Sequence, residues 1–168
     1  MGSFGIIISI FESKKGKFLG KCARVWAKAI LFCGGIKYTI KNLDNLNLSN
    51  SYIFAGNHSS GFDILLGFAG LPFWIVSIAK IELRSVFVLG FVMKIAGHIF
   101  IDRKNHESAM SSLKKASISL KEIPRSVLLY PEGTRTKDGS IQNFKPGGLL
   151  LAVETGIPIV PIYYSGTY

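Results

Sequence analysis

Apolar residues fall in short runs cut by glycine, proline and polar clusters, and the period of each run predicts its element. Residues 36–40 alternate apolar and polar like an edge strand, and an asparagine-rich loop follows over residues 42–50. Tyr52, Ile53, Phe54, Ala55 and Gly56 form a continuous short run that predicts a buried strand. Ile64, Leu65 and Leu66 begin a helical face, with Ser59 or Ser60 placed to cap it. Residues 64–79 carry no charge, yet Gly67, Gly70 and Pro72 break the stretch well short of the ~20 apolar residues that span a bilayer. It reads as helix, turn, then a buried strand over residues 73–79. Residues 86–93 are also too short to span, and are expected either to line an apolar acyl-chain groove or to pack in the core.

Further along, residues 97–103 deliver Asp102 and Arg103 to the end of a short strand. Ala109, Leu113, Ala116 and Leu120 recur at helical spacing before Pro124. Residues 125–130 predict a central parallel strand that must stop at Pro131. A turn at residues 136–139 precedes a helix that opens near Phe144, Lys145, Pro146, Gly147 and Gly148 and closes at Gly156. Residues 159–162 predict a buried strand. Strands alternating with helices give an α/β fold, a mostly parallel sheet covered by helices, without internal repeat or second-domain linker.

Composition adds an interface. The chain has 168 residues, 48% of them hydrophobic, a mean hydropathy of +0.34 and a net charge of +10. Residues 1–41 hold Lys14, Lys15, Lys17, Lys21, Arg24, Lys28, Lys37 and Lys41 against Glu12 alone. Within them Phe18, Leu19, Cys22, Val25, Trp26, Ala29, Ile30 and Phe32 share a broad apolar face flanked by Lys21, Arg24 and Lys28. Such a basic amphipathic helix suits the membrane interface, and the competing reading is an ordinary helix packed on the sheet. Nucleic acid is not expected as a partner, because no reading module or basic-aromatic interleaving is present. Residues 6–11 are apolar, but without a preceding basic region or cleavage site they do not make a secretory signal. Cys22 and Cys33 lie on one helix face too far apart to bridge, which fits reduced thiols. No metal site is implied, since His58, His98 and His106 are widely spaced and Cys-x-x-Cys is absent. His98 is expected to pack at the start of its strand, and His106 to be solvated at a helix start.

Candidate chemistry sits in Asn57-His58-Ser59-Ser60-Gly61-Phe62-Asp63. On a continuous helix His58 and Asp63 would lie about 140° apart, so they meet only if His58 occupies the turn and Asp63 points back from the first helical turn. An acid on one ring nitrogen leaves the other free as a base. The turn is expected to expose the imidazole, and its backbone N–H groups to stabilise an oxyanion. The plainer alternative makes Asp63 a helix-start anion and His58 a loop histidine. Three cations, Arg103, Arg135 and Lys145, fall at element ends that can converge on an anion, together with the glycine-rich helix start.

These segments, together with Pro131-Glu132-Gly133-Thr134-Arg135 and Ile159-Val160-Pro161-Ile162, resemble in order the four motif blocks of the glycerolipid acyltransferase family. Within it the likeness is to bacterial 1-acylglycerol-3-phosphate acyltransferases, over roughly residues 20–166. The resemblance implies a glycerol-3-phosphate acyltransferase-like fold, with His58 as catalytic base and Asp63 as the acid that orients it. It implies that Arg103, Glu132, Gly133 and Arg135 bind the glycerol phosphate, with Lys80 and Lys145 as further basic residues near the phosphate.

The implied reaction moves an acyl group from acyl-CoA or acyl-carrier protein to the sn-2 hydroxyl of 1-acylglycerol 3-phosphate (lysophosphatidate), giving phosphatidic acid for phospholipid biosynthesis, without other cofactors. The alternatives are another lysolipid, such as a lyso-ornithine lipid, glycerol 3-phosphate itself, or a non-catalytic lipid-binding module. The setting implied is the cytoplasmic face of the inner or plasma membrane, with membrane lipids as partners. Residues 1–35 are expected to be the membrane-associating segment, and residues 36–168 the catalytic domain, truncated after its fourth motif.

Overall fold

The computed structural model describes residues 16–168. The apolar run at residues 6–11 and the basic pair Lys14 and Lys15 lie outside the described residues. Five strands form one parallel sheet in the order β3-β2-β4-β1-β5: β1 Ile53–Gly56, β2 Ile75–Lys80, β3 Ile99–Ile101, β4 Ser126–Leu129 and β5 Ile159–Ile162. The helices are α1 Lys17–Cys33, α2 Phe62–Gly70, α3 Leu89–Ile95, α4 His106–Glu122 and α5 Pro146–Thr155.

Side chains alternate across the sheet with period two. Ile53, Val127 and Leu129 pack with Leu113, Ala116 and Leu120 of α4 and Leu151 of α5. Phe54 and Leu128 face the other way, into a cluster with Tyr52, Phe73 and Ile75. On that side Gly67 of α2 lies so close to the sheet that a Cβ there would come within 2.7 Å of Leu128. Ala69 of α2 in turn meets Ala27 and Leu31 of α1. β4 is buried throughout, as a central parallel strand must be.

Four expectations change. Residues 36–40 form no strand. Gly35, at φ 67°, ends α1 in a Schellman turn, with Gly35 N–H donating to the Phe32 carbonyl and Ile36 N–H to the Leu31 carbonyl. Ile36 then packs on the α1–α2 cluster, and Ile40 and Tyr38 lie against Gly70, so the alternation serves helix packing. β5 does pair in parallel with β1, but it is an edge strand with Ile159 exposed, not a buried one, and Pro161 fits that edge.

Arg24 is not a lipid-facing flank of α1. Its guanidinium turns inward and donates to the Leu71 and Phe73 carbonyls at the entry to β2. α1 packs inward through Leu19, Ala27 and Leu31, while Phe18, Val25, Trp26 and Phe32 are exposed. Finally, Val86, Phe87, Leu89 and Phe91 do not fill the core, because all four are exposed. No helix among the described residues is long and apolar enough to cross a membrane.

His98 lies just before β3; its Nδ1 accepts from the Ser77 backbone N–H at 3.0 Å, and its ring centroid lies 5.8 Å from that of Phe68. Burial, then the Arg125 charge, lowers its pKa to about 4, so the folded protein holds it neutral. In the unfolded chain it protonates near pH 6.5. The unfolded state therefore binds the extra proton between these values, and the stabilisation present above pH ~6.5 is lost as pH falls towards 4, at most about 3 kcal/mol. Urea midpoints for wild type and His98→Gln at pH 7.5 and 4.5 should show a much smaller acid loss in the variant. Equal losses would remove His98 as the cause.

Candidate active site

All five strands run parallel, and their carboxyl ends carry the chemistry-bearing residues, as expected for an open α/β sheet. After β1 the chain turns through His58 and enters α2, where Asp63 sits in the first turn and is fully buried. Asp63 Oδ2 lies 2.9 Å from His58 Nδ1 and also accepts the backbone N–H groups of Ser59 at 2.7 Å and Ser60 at 2.8 Å. Of the two serines, Ser60 meets the start of α2, its Oγ accepting the Phe62 N–H at 3.3 Å. The N-cap itself is Gly61, without a side-chain cap, and Asp63 gathers the backbone donors of Ser59 and Ser60.

Burial would raise the Asp63 pKa, but the contacts from His58 and from the backbone N–H groups of Ser60 and Ser59 outweigh it and leave the carboxyl below its usual range. An ionised Asp63 on Nδ1 fixes the neutral imidazole with its proton there and its lone pair on Nε2. Asp63 is thus a helix-start anion that also contacts the imidazole.

The imidazole is only 13% exposed, contrary to the expected open turn. Tyr130, one residue beyond β4, covers it as a stacked ring with centroids 4.1 Å apart and planes 19° from parallel. Burial and the neighbouring Tyr164 and Asp63 hold the Tyr130 phenol well above its usual pKa, so it stays neutral. Burial likewise raises that of Tyr164. Asn57 pins Tyr164 beside them with two bonds, Tyr164 N–H to Oδ1 at 2.7 Å and Nδ2 to the Tyr164 carbonyl at 3.0 Å. Sequence reasoning left Tyr130 as a strand end, although an aromatic just before the Pro131 stop was its visible signal.

Glu132 is buried and holds three segments together. Its Oε1 accepts the His58 backbone N–H at 2.7 Å, and its Oε2 accepts that of Gln142 at 2.8 Å. The His58 carbonyl in turn accepts Thr136 N–H at 2.8 Å. Both Glu132 oxygens thus carry backbone donors, and a carboxylate offers a phosphate only repulsion. The same inventory commits three of the turn's N–H groups, those of His58, Ser59 and Ser60, to carboxylates, so these three cannot serve an oxyanion.

Of the cations, Arg103 and Lys145 come together around Gly133. Arg103 donates to the Gly133 carbonyl. The position of a Cβ on Gly133 lies 3.4 Å from Lys145 Nζ, and the Lys145 backbone N–H donates to the Pro131 carbonyl at 2.8 Å. Gly133 has φ 72°, which only glycine adopts at little cost. Burial lowers the Arg103 pKa, with Glu82 opposing, and an arginine remains charged regardless. Lys145 precedes α5, whose first turn holds Pro146, Gly147 and Gly148. Arg135 and Lys80 are exposed, Lys80 ending β2 opposite Ile101 of β3, and neither has a protein partner among the described residues.

A separate cavity of about 120 Å³ lies behind the His58 turn, lined by Asn57, Ser59, Glu132, Ser140, Tyr164 and Thr167. None of the four cations reaches it. Among the described residues, no group of three or more His, Cys, Asp or Glu is arranged to hold a metal ion.

A family model described as Acyltransferase matches residues 37–165. A curated sheep protein (Ovis aries), 1-acyl-sn-glycerol-3-phosphate acyltransferase alpha, is 36% identical over 145 residues, covering 86% of this chain and 50% of its own length. The 1-acyl-sn-glycerol-3-phosphate acyltransferase of Limnanthes douglasii is 37% identical over 116 residues, 69% of this chain and 41% of its own. The crystal structure of the 1-acyl-sn-glycerophosphate (LPA) acyltransferase PlsC from Thermotoga maritima superposes with a TM-score of 0.77 and 26% identity, covering 95% of this chain and 64% of that one. The chain therefore spans about half the length of the curated relatives it matches.

Proposed function

The chain belongs to the acyltransferase family, and we propose that it transfers an acyl group from a thioester donor, acyl-CoA or acyl-carrier protein, to the sn-2 hydroxyl of 1-acylglycerol 3-phosphate. The observation that carries this reading is the His58–Asp63 pair, stacked on Tyr130, three residues of chain away from the Arg103 and Lys145 cluster at Gly133. Relatives named for that reaction support the same acceptor.

His58 Nε2 takes the hydroxyl proton as the substrate oxygen attacks the thioester carbonyl. Collapse of the tetrahedral intermediate expels the thiolate, which takes the proton back from the imidazolium. Asp63 stabilises that imidazolium, and the Tyr130 ring face beneath it adds cation–π attraction. Arg103 and Lys145, joined by the unpartnered Arg135 and Lys80, bind the phosphate and so hold the hydroxyl at the base. Glu132 acts through the backbone, tying the His58 turn to the 131–142 loop. The exposed apolar side of α1 docks on the membrane's cytoplasmic face, where the lipid acceptor resides.

Glycerol 3-phosphate presents the same phosphate to the same cations, so it stands as the second acceptor. The purified chain, given a labelled acyl donor as CoA or carrier-protein thioester with lysophosphatidate, lyso-ornithine lipid or glycerol 3-phosphate, tests the proposal directly. Labelled phosphatidic acid formed in preference to the other products is the expected result. Transfer to none of the acceptors would defeat it.

A further inference from the structure

Between β2 and β3 the chain makes a 3-10 turn, Ile81–Ser85, and then α3. The two are locked together, since a Cβ on Gly90 would come within 2.2 Å of the Arg84 carbonyl oxygen. At their junction Leu89 N–H donates to the Phe87 carbonyl at 2.8 Å across Val88, which has φ 65° and ψ −53°. This is the rare γ-turn, strained for any side chain and more so for a β-branched one. Its effect is to stand Phe87 out of the surface at 93% exposure, with Leu83, Val86, Leu89 and Phe91 exposed around it. A lobe that carries backbone strain and displays an almost fully exposed phenylalanine points to an occupant.

The surroundings identify that occupant. Lys80, Arg84, Lys94 and Lys104 are exposed on the same segment and its flanks, against Glu82, which lies 4.0 Å from Lys104 Nζ. A second copy of this chain would bring the same positive charges, and a net +10 of its own, to the contact. An anionic bilayer accepts both the aromatic tip and the basic rim. The lobe also leaves β2 at its carboxyl end, on the side of the sheet that carries His58 and Arg103, and its far end at Ala96 meets Gly16 at the start of α1.

We propose that residues 81–95 form a second membrane-contact element, in which Phe87 and its apolar neighbours enter the acyl region of an anionic bilayer while the basic rim holds lipid headgroups. The lobe lies at the site's end of the sheet and sets its height over the headgroups. Its use in presenting a lipid acceptor rests on the acyl-transfer reading above, but the docking itself does not.

Phe87→Trp, compared with wild type carrying Trp26 and Trp74 alone, provides the probe. With equimolar phosphatidylethanolamine and phosphatidylglycerol vesicles whose acyl chains are brominated, the introduced indole should shift to the blue and be quenched beyond the wild-type signal. Phosphatidylcholine vesicles should produce little of either. Phe87→Ser combined with Leu89→Ser and Phe91→Ser should weaken vesicle binding at least about tenfold, while turnover of a water-soluble short-chain acceptor stays unchanged.

An indole already blue-shifted without vesicles and insensitive to bromine would show that residues 1–15 or a second copy cover the lobe, and would overturn the proposal. So would undiminished vesicle binding by the triple variant. Absence of acyl transfer with quenching intact would instead defeat the enzymatic reading and leave the docking surface standing.

Discussion

His58→Ala is expected to lower kcat by about 10²–10⁴-fold, the usual worth of a positioned general base, with lysophosphatidate saturating and KM little changed. Arg103 and Lys145, around Gly133, lie on other segments and should survive the substitution. The fold should survive as well, although not free of cost. The imidazole is mostly buried against Tyr130 and occupies one of three donor positions on Asp63 Oδ2, so its removal leaves a gap over the phenol ring and a carboxylate held by two backbone N–H groups.

His58→Asn, which can still donate to Asp63, separates the two effects: it should recover stability and not turnover. Asp63→Asn should be impaired comparably, because a neutral amide neither fixes the Nδ1–H tautomer nor offsets the imidazolium charge. It should also lose stability, since hydrogen bonds to a charged acceptor contribute about 1.5–3 kcal/mol. Near-wild-type kcat in a folded His58→Ala protein would end the base mechanism.

What made this half of the site legible was spacing. His58 and Asp63 cannot meet on a helix, so a turn before α2 followed from geometry, and the structure builds that turn. The role of Glu132 was not legible in the same way. The resemblance implies that Glu132 binds the glycerol phosphate, and only the tertiary fold shows that its two oxygens reach the backbone of His58 in one direction and Gln142 in the other. For the same reason sequence could not show that the Ser59 and Ser60 N–H groups of the turn are committed to Asp63.

Alternation misled at residues 36–40, because a residue that closes a Schellman turn and packs on α1 has the same apolar signature as one in a strand. In α1, amphipathicity told that one side was apolar and another basic. It could not tell that Arg24 turns inward to the Leu71 and Phe73 carbonyls, because a carbonyl-binding arginine and a lipid-facing one occupy the same place in the sequence pattern. The β4 core strand was legible because four consecutive buried positions need apolar or small residues throughout. The edge strand β5 shares that apolar run without the burial.

Arg103→Ala is expected to reduce kcat/KM for lysophosphatidate by about 2–5 kcal/mol of transition-state binding, roughly 30- to 5,000-fold, where its contacts to the substrate phosphate are desolvated. Activity on a phosphate-free monoacylglycerol should change far less. The comparison is necessary because Arg103 also donates to the Gly133 carbonyl, so its loss can loosen the turn that brings Lys145 alongside. A purely structural role would lower both acceptors equally, and that result would refute phosphate reading by this residue.

Arg135 supplies the contrast. It is exposed and has no protein partner among the described residues, so Arg135→Ala should leave the urea midpoint unchanged while it selectively weakens use of the phosphate-bearing acceptor. Arg103→Lys tests the geometry of the contact: it preserves the charge but loses the planar fork that pairs with phosphate oxygens. Its kcat/KM for lysophosphatidate should fall between those of wild type and alanine. Full recovery by lysine would show that charge alone acts at position 103, with the fork dispensable.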